Sequence, residues 1–245
     1  MQLSFPFPAN RKDRFDNFVS DRRNEEAARL CKAFAEAAPG QPKSLVLHGP
    51  PGAGKTHLLA AMGSVVMERA GEGAALYLDC KTLAERVLSV KSYEELKLYL
   101  EKYENAAFLA VDNLDFVEGV SQAEDQIFHL YNAVVQGGGR FAAAVGAPPA
   151  SWRFHDQLTT RLLWGQVLKL APVGDDGMVS VLVKMAADTG LALPEKAAKW
   201  LITRLPRDPV SQREALERID RYSLTMQRKI SINLVKEALK EPDAR

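Results

Sequence analysis

The chain has 245 residues, 47% apolar and 26% charged, with a formal net charge of +1. That is enough to bury a core without disulfide or metal staples, and it excludes a strongly basic protein that wraps nucleic acid with its whole surface. The two cysteines, Cys31 and Cys80, match no metal-ligand spacing and make no disulfide framework, as expected of free thiols in a reducing compartment. No apolar run approaches the ~20 residues that span a bilayer. The start also lacks the charged and apolar regions of a signal peptide, so a cytoplasmic location with no membrane partner is expected.

The first residues, MQLSFPF, place Leu3, Phe5 and Phe7 at a chain end, where polar residues are the rule. Pro6 and Pro8 favour extended backbone, so residues 1–20 read as an extended arm. Its apolar tip is either tucked into the protein's own core or kept for a partner. A helix is predicted from Asp21 to about Ala38, ended by Pro39-Gly40. SLVLH at Ser44–His48 reads as a buried strand, followed by a helix striped by Leu58, Met62 and Val65. The alternation continues with a strand at Ala74–Asp79, helices near 81–89 and 92–103, and a strand at Ala106–Asp112. A helix opening at Ser121 and strands at Arg140–Gly146 and Gln166–Leu170 complete it. Capping boxes are predicted at Ser92/Glu95 and Ser121/Glu124.

Five strands alternating with helices imply a mostly parallel sheet covered on both faces. After Pro172 only helical stripes remain, at Val179/Leu182/Val183/Ala186, Ala197/Leu201/Leu205, Leu216/Ile219 and Ile232/Val235/Leu239. The expected organisation is an arm (1–20), an α/β domain (21–172) and an all-helical domain (173–245), joined by a hinge at 171–177. Within the last, residues 196–240 hold eleven Lys/Arg against five Asp/Glu.

GPPGAGKT at Gly49–Thr56 fits G-x-x-x-x-G-K-[ST] between a buried strand and a helix. Glycines let the backbone curl so that its N–H groups and the helix N-terminus face phosphate oxygens. Gly49, Pro50, Pro51, Gly52, Ala53, Gly54, Lys55, Thr56 and His57 are therefore the expected nucleotide-binding residues. Lys55 would reach the β- and γ-phosphates and Thr56 would offer its hydroxyl to Mg²⁺. FLAVDNLDF at Phe108–Phe116 ends an apolar run in Asp112, a carboxylate expected at the sheet edge beside the magnesium. Many phosphate-loop ATPases carry a second acid next, to orient the attacking water. Here the residue is Asn113, which cannot accept a proton, and Asp115 reads as a solvated loop acid rather than its substitute. Binding of a nucleotide with Mg²⁺ and weak or no turnover is the expectation.

At these motifs the chain resembles the AAA+ domain of the bacterial replication initiator DnaA, and more closely its regulatory homologues of the Hda type. RFDNFVSDRRN at Arg14–Asn24 is similar to the family's TFDNFVxGxxN, VDNLDF to IDDIQF with one acid lost, AEDQIFHLYNAV at Ala123–Val134 to EEFFHTFNAL, and DQLTTRLLWG at Asp156–Gly165 to DRLRSRFxWG. The resemblance implies an AAA+ phosphate-loop core with a helical lid. It implies that Phe18 and Val19 lie near the adenine, and that Arg161 is an arginine finger reaching a neighbour's γ-phosphate in trans. Such fingers are worth ~10³–10⁵ in rate. The motif's first arginine is Gln157 here. The polar sensor of the fourth strand falls near Gly146, and the lid arginine near Val210, with Arg207 and Arg213 as neighbours.

QRKISINLVKEALK at Gln227–Lys240 resembles the end of Hda-type chains, and Gln2, Leu3, Ser4, Phe5, Pro6 and Phe7 match their clamp-binding motif QL-[SD]-L-P-L. Burying three such side chains at ~1.5–3 kcal/mol each is compatible with micromolar docking after ordering costs. The implied partners are DnaA and the β sliding clamp of DNA polymerase III, with monomer and homodimer both open. The initiator's DNA-binding domain has no counterpart within these residues, so DNA contact is expected mainly through the clamp. The implied function is an Hda-like stimulator of ATP hydrolysis by DnaA. An AAA+ helicase loader of the DnaC type that binds single-stranded DNA is the alternative, and a nucleotide kinase a more distant one.

Overall fold

The structure is a computed structural model that describes residues 13–36, 42–90, 92–206 and 208–240. The amino-terminal motif Gln2–Phe7 and Arg207 lie outside the described residues.

Five strands form one sheet: β1 (Ser44–His48), β2 (Ala75–Asp79), β3 (Phe108–Asp112), β4 (Arg140–Val145) and β5 (Gln166–Lys169). The order is β2-β3-β4-β1-β5, and all four pairings are parallel. The strands are near-continuous apolar runs because helices cover both faces. Alternate residues sort cleanly between two cores. Leu45, Leu47, Phe108, Ala110, Ala142 and Ala144 pack with α1 (Glu25–Ala35) and α2 (Lys55–Ala70). Val46, Leu109, Val111, Phe141, Ala143 and Val145 pack with α3 (Cys80–Ser89), α4 (Tyr93–Glu104), α5 (Ser121–Gln136) and α6 (Asp156–Trp164). Cys31 and Cys80 are free thiols sealed in these cores, and burial pushes the Cys31 thiol up to about 12. No helix among the described residues is long and apolar enough to cross a membrane.

The chain divides into two compact units. Among the described residues, one holds 13–18 and those from Asn24 to Pro172; the other holds Val19–Arg23 with the residues from Val173 onward. The second unit consists of α7 (Asp175–Asp188), α8 (Glu195–Ile202), α9 (Pro209–Met226) and α10 (Ile232–Ala238) around a core of Leu182, Ala186, Leu201, Ile219, Leu234 and Val235.

Four local expectations are revised. The first helix starts at Glu25 rather than Asp21, because Asp21 turns its carboxylate onto the backbone N–H groups of Arg23 and Gly174, each at 2.8 Å. Those two bonds hold its carboxyl below the usual range. The last three residues of the segment expected as a hinge, 171–177, are helical, since α7 already begins at Asp175. The Ser92 box keeps its first half, the Ser92 hydroxyl accepting the Glu95 N–H at 3.2 Å. The Ser121 box does not form: Val120 is the N-cap, Ser121 lies inside the helix, and buried Glu124 reaches instead to the Gly119 N–H at 2.6 Å and the His155 N–H at 2.7 Å.

His48 closes β1 beside the phosphate loop, and burial, reinforced by the charges of Lys169 and Lys55, lowers its pKa. The unfolded chain, with an ordinary imidazole near 6.5 (about that of model peptides), takes up a proton that the folded chain refuses. Stability is therefore retained at neutral pH and lost as pH falls through about 6.5 toward the folded value. Urea unfolding at about pH 7.5 and about pH 5.5 is expected to show a smaller acid loss for His48→Gln than for the parent; equal losses would remove His48 from the balance.

Candidate nucleotide-binding site

The phosphate loop leaves β1 at Gly49 and enters α2 at Lys55, on the carboxyl edge of the sheet where strand order reverses around β1. Its glycines are required individually. A Cβ on Gly49 would stand 2.1 Å from the Leu170 carbonyl oxygen, so the loop could not lie this close to the end of β5. Gly52 (φ 80°) and Gly54 (φ 96°) occupy the left-handed region, and a Cβ on Gly54 would come within 2.7 Å of the Phe18 ring. Pro50 and Pro51 are exposed on the loop's outer side, and Ala53 is buried beneath it.

The Lys55 ammonium donates to the loop's own carbonyls, Gly49 O at 2.5 Å and Pro50 O at 3.1 Å. Desolvation lowers its pKa, while Asp112 and Asp115 pull in the opposite direction. Asp112 is 2% exposed at the end of β3. One carboxylate oxygen accepts both the Thr56 hydroxyl (2.6 Å) and the Tyr77 hydroxyl (2.8 Å), and the other accepts the Asn113 N–H (2.9 Å). A hydroxyl and a carboxylate brought together at the mouth of a phosphate loop are the hard oxygen donors that Mg²⁺ prefers, so these residues fit the ion. Tyr77 carries no motif signal in the sequence. Burial, then the Asp112 charge, raises its pKa well above the usual phenol value, which keeps it a donor.

Asn113 is left-handed (φ 56°), and its side-chain amide donates to Asp79 at 2.9 Å, the same carboxylate that caps α3. Asp115 is solvent-exposed, as expected of a loop acid, but it is not without a partner. Its two oxygens take the Gly146 N–H at 2.9 and 2.8 Å, just past the end of β4 and at the position of the expected polar sensor. A Cβ on Gly146 would be 3.2 Å from that carboxylate.

The lead-in segment packs against α2. His57 Nδ1 lies 3.2 Å from the Asp13 carboxylate, its Nε2 is 2.9 Å from the Arg14 carbonyl, and its ring meets Phe18 edge-on at 5.2 Å. His57 thus serves to hold this segment against the loop. Val19 belongs to the second unit, as do exposed Val210 and Arg213 on α9. Arg161, half-buried on α6, donates from Nε to Asn132 Oδ1 at 2.9 Å, and its Cζ stands 4.0 Å from the Trp164 ring centroid. Gln157 is exposed on the same helix.

A five-stranded parallel sheet with this loop, this Asp112 and a separate helical unit defines an AAA+ phosphate-loop protein. The family model described as the bacterial DnaA ATPase domain matches residues 9–169, and that described as the Hda lid domain matches residues 175–239. The chain belongs to the DnaA ATPase-domain family, with a lid of the Hda type. Among solved structures it is similar to domain III of the Thermotoga maritima replication initiation protein DnaA, with 24% identity, 95% of this chain and 98% of that chain covered, and a TM-score of 0.82. It is also similar to AMPPCP-bound DnaA from Aquifex aeolicus, with 18% identity, 84% and 64% covered, and a TM-score of 0.67. The Thermotoga maritima RuvB Holliday junction branch migration motor shares the fold at 14% identity, 93% and 71% covered, and a TM-score of 0.63. The chain spans just under two thirds of the Aquifex initiator structure's length, 64%.

Gly54→Ala and Gly71→Ala make a matched pair. Both positions have φ near +96° (96° and 97°), but only Gly54 abuts another side chain and the phosphate loop. Each substitution is expected to cost about 1–3 kcal/mol of stability through backbone strain, at Gly71 because its ψ of 166° lies in a region that essentially only glycine enters. Titration with a fluorescent adenine nucleotide should show at least about tenfold weaker binding for Gly54→Ala and unchanged binding for Gly71→Ala.

Proposed function

We propose that this chain is a regulator of chromosomal replication initiation of the Hda type. It holds ADP or ATP with Mg²⁺ in its own phosphate loop, docks on the β sliding clamp of DNA polymerase III through Gln2–Phe7, and offers Arg161 in trans to the γ-phosphate of ATP-bound DnaA. The outcome is conversion of the initiator to its ADP form and restraint of re-initiation in the cytoplasm.

The observation that carries this reading is an imbalance. The residues that bind phosphate are complete, whereas the hydrolytic positions are engaged elsewhere: Asn113 with Asp79, and Asp115 with the Gly146 N–H. Arg161, in contrast, makes its contacts on α5 and α6 and leaves both terminal guanidinium nitrogens without a hydrogen bond among the described residues. A guanidinium so presented suits a planar phosphate oxygen pair better than an ammonium would.

Within the chain's own site, the loop N–H groups, Lys55 and the α2 N-terminus would bind the β-phosphate. Thr56 and Asp112 would hold Mg²⁺, with Tyr77 orienting the carboxylate. When bound, Mg²⁺ supplies charge neutralisation on the phosphates. Phe18 and Val19 are the residues assigned to the adenine, and Arg207 and Arg213 are the two candidates for the lid arginine. The AMPPCP found with the related initiators supports an adenine nucleotide. DNA contact runs mainly through the clamp.

The test is conversion of DnaA-bound radiolabelled ATP to ADP on clamp-loaded DNA. The full chain is expected to convert it; a chain beginning at Ala9 is expected to lose clamp-dependent conversion. Arg161→Glu should abolish conversion, a loss of about 10³-fold or more, while leaving nucleotide and clamp binding intact. No conversion by the full chain, together with salt-dependent binding of single strands and intrinsic ATPase activity, would replace this reading with a helicase loader of the DnaC type.

A further inference from the structure

Helix α5 turns three side chains toward α6 at intervals of four residues, Glu124, Phe128 and Asn132, as one face of a helix must. Buried Glu124 fixes the start of α6 by accepting the His155 N–H at 2.7 Å, and His155 itself caps that helix through the Leu158 N–H. Two turns further along α5, the Asn132 amide oxygen accepts Arg161 Nε at 2.9 Å. Between them, the Phe128 ring centroid lies 5.5 Å from the Arg161 Cζ. From the other side comes Trp164, one turn beyond Arg161, its ring centroid 4.0 Å from the same carbon. Trp164 is 67% exposed, a costly place for an indole unless its face is in use.

We propose that Asn132, Phe128 and Trp164 are the positioning residues of Arg161, holding its guanidinium in one orientation at the surface with Nη1 and Nη2 left for a phosphate. This inference rests on the reading of Arg161 as a trans finger. The choice of an amide at 132 is the informative detail. A carboxylate there would form an ion pair, neutralising the charge the finger delivers; an amide oxygen engages one of the five N–H donors and leaves the charge intact. The aromatic faces act in the same sense, since they attract the cation without neutralising it. Arginine loses much rotamer freedom when it is fixed. Fixing it within the free chain means that freedom need not be lost when the partner docks.

The experiment measures stimulated ATP hydrolysis by DnaA against concentration of the full chain, with nucleotide binding to the chain's own loop as the check on folding. Asn132→Leu and Trp164→Ala are each expected to lower the maximal stimulated rate about tenfold, with the half-saturating concentration shifted less than about twofold. Trp164→Phe, which keeps a ring, should recover most of the rate. If Arg161→Ala abolishes stimulation while Asn132→Leu and Trp164→Ala retain it, the positioning assignment falls and the finger stands. If these two variants instead raise the half-saturating concentration at an unchanged maximum, the cluster is a docking surface and the assignment also falls. Retained stimulation by Arg161→Ala would overturn the finger itself, and the positioning role with it.

Discussion

The hydrogen bond from the Thr56 hydroxyl to the Asp112 carboxylate, 2.6 Å long, joins residues 56 positions apart, and the site depends on it. Thr56 opens the helix after β1, and Asp112 ends β3; β4 lies between those strands in the sheet. Parallel pairing puts all three carboxyl ends on one edge, so the phosphate loop and the acidic strand meet without any contribution from sequence proximity. The close approach of Gly49 to the Leu170 carbonyl, which no side chain would tolerate, secures the loop from the β5 side.

On the proposed reading, the same edge serves to hold a nucleotide rather than to cleave it. An amide at 113 has no basicity, and its hydrogen bond to Asp79 ties it to the start of α3. Gly146 has no side chain with which to sense a phosphate, and its N–H is taken by Asp115. Asp112, by contrast, collects two hydroxyl donors and a backbone N–H, the kind of network that keeps a buried carboxylate in one place.

Helices α5 and α6 form a second, independently braced structure in the same unit. Glu124 would be an expensive buried charge without the two N–H groups it accepts, and one of those bonds sets where α6 begins. With the helix start fixed, Asn132 and Trp164 meet the Arg161 guanidinium from two sides. On the proposed reading, the placement of Arg161 rests in part on Glu124, which carries no chemistry of its own.

Much was legible in the sequence. The strand and helix alternation, the parallel sheet, the phosphate loop, Asp112 and the Ser92 cap are all written in spacings of a few residues, where apolar period, glycine placement and capping chemistry act locally. The early helix start at Asp21 and the box at Ser121/Glu124 misread equally local signals, because both carboxylates found better backbone donors than their own helix offered. The partners of Tyr77, Asp115 and Asn132 lay beyond such reading. Tyr77 meets Asp112 from 35 residues away, Asp115 meets Gly146 across 31, and Asn132 meets Arg161 across 29. The sequence by itself determined which segments become strands and helices and which loop can receive phosphate, since those follow from neighbouring residues. Only the tertiary structure decided which polar groups share a hydrogen bond, because sheet order and helix packing bring together groups that the chain keeps dozens of residues apart.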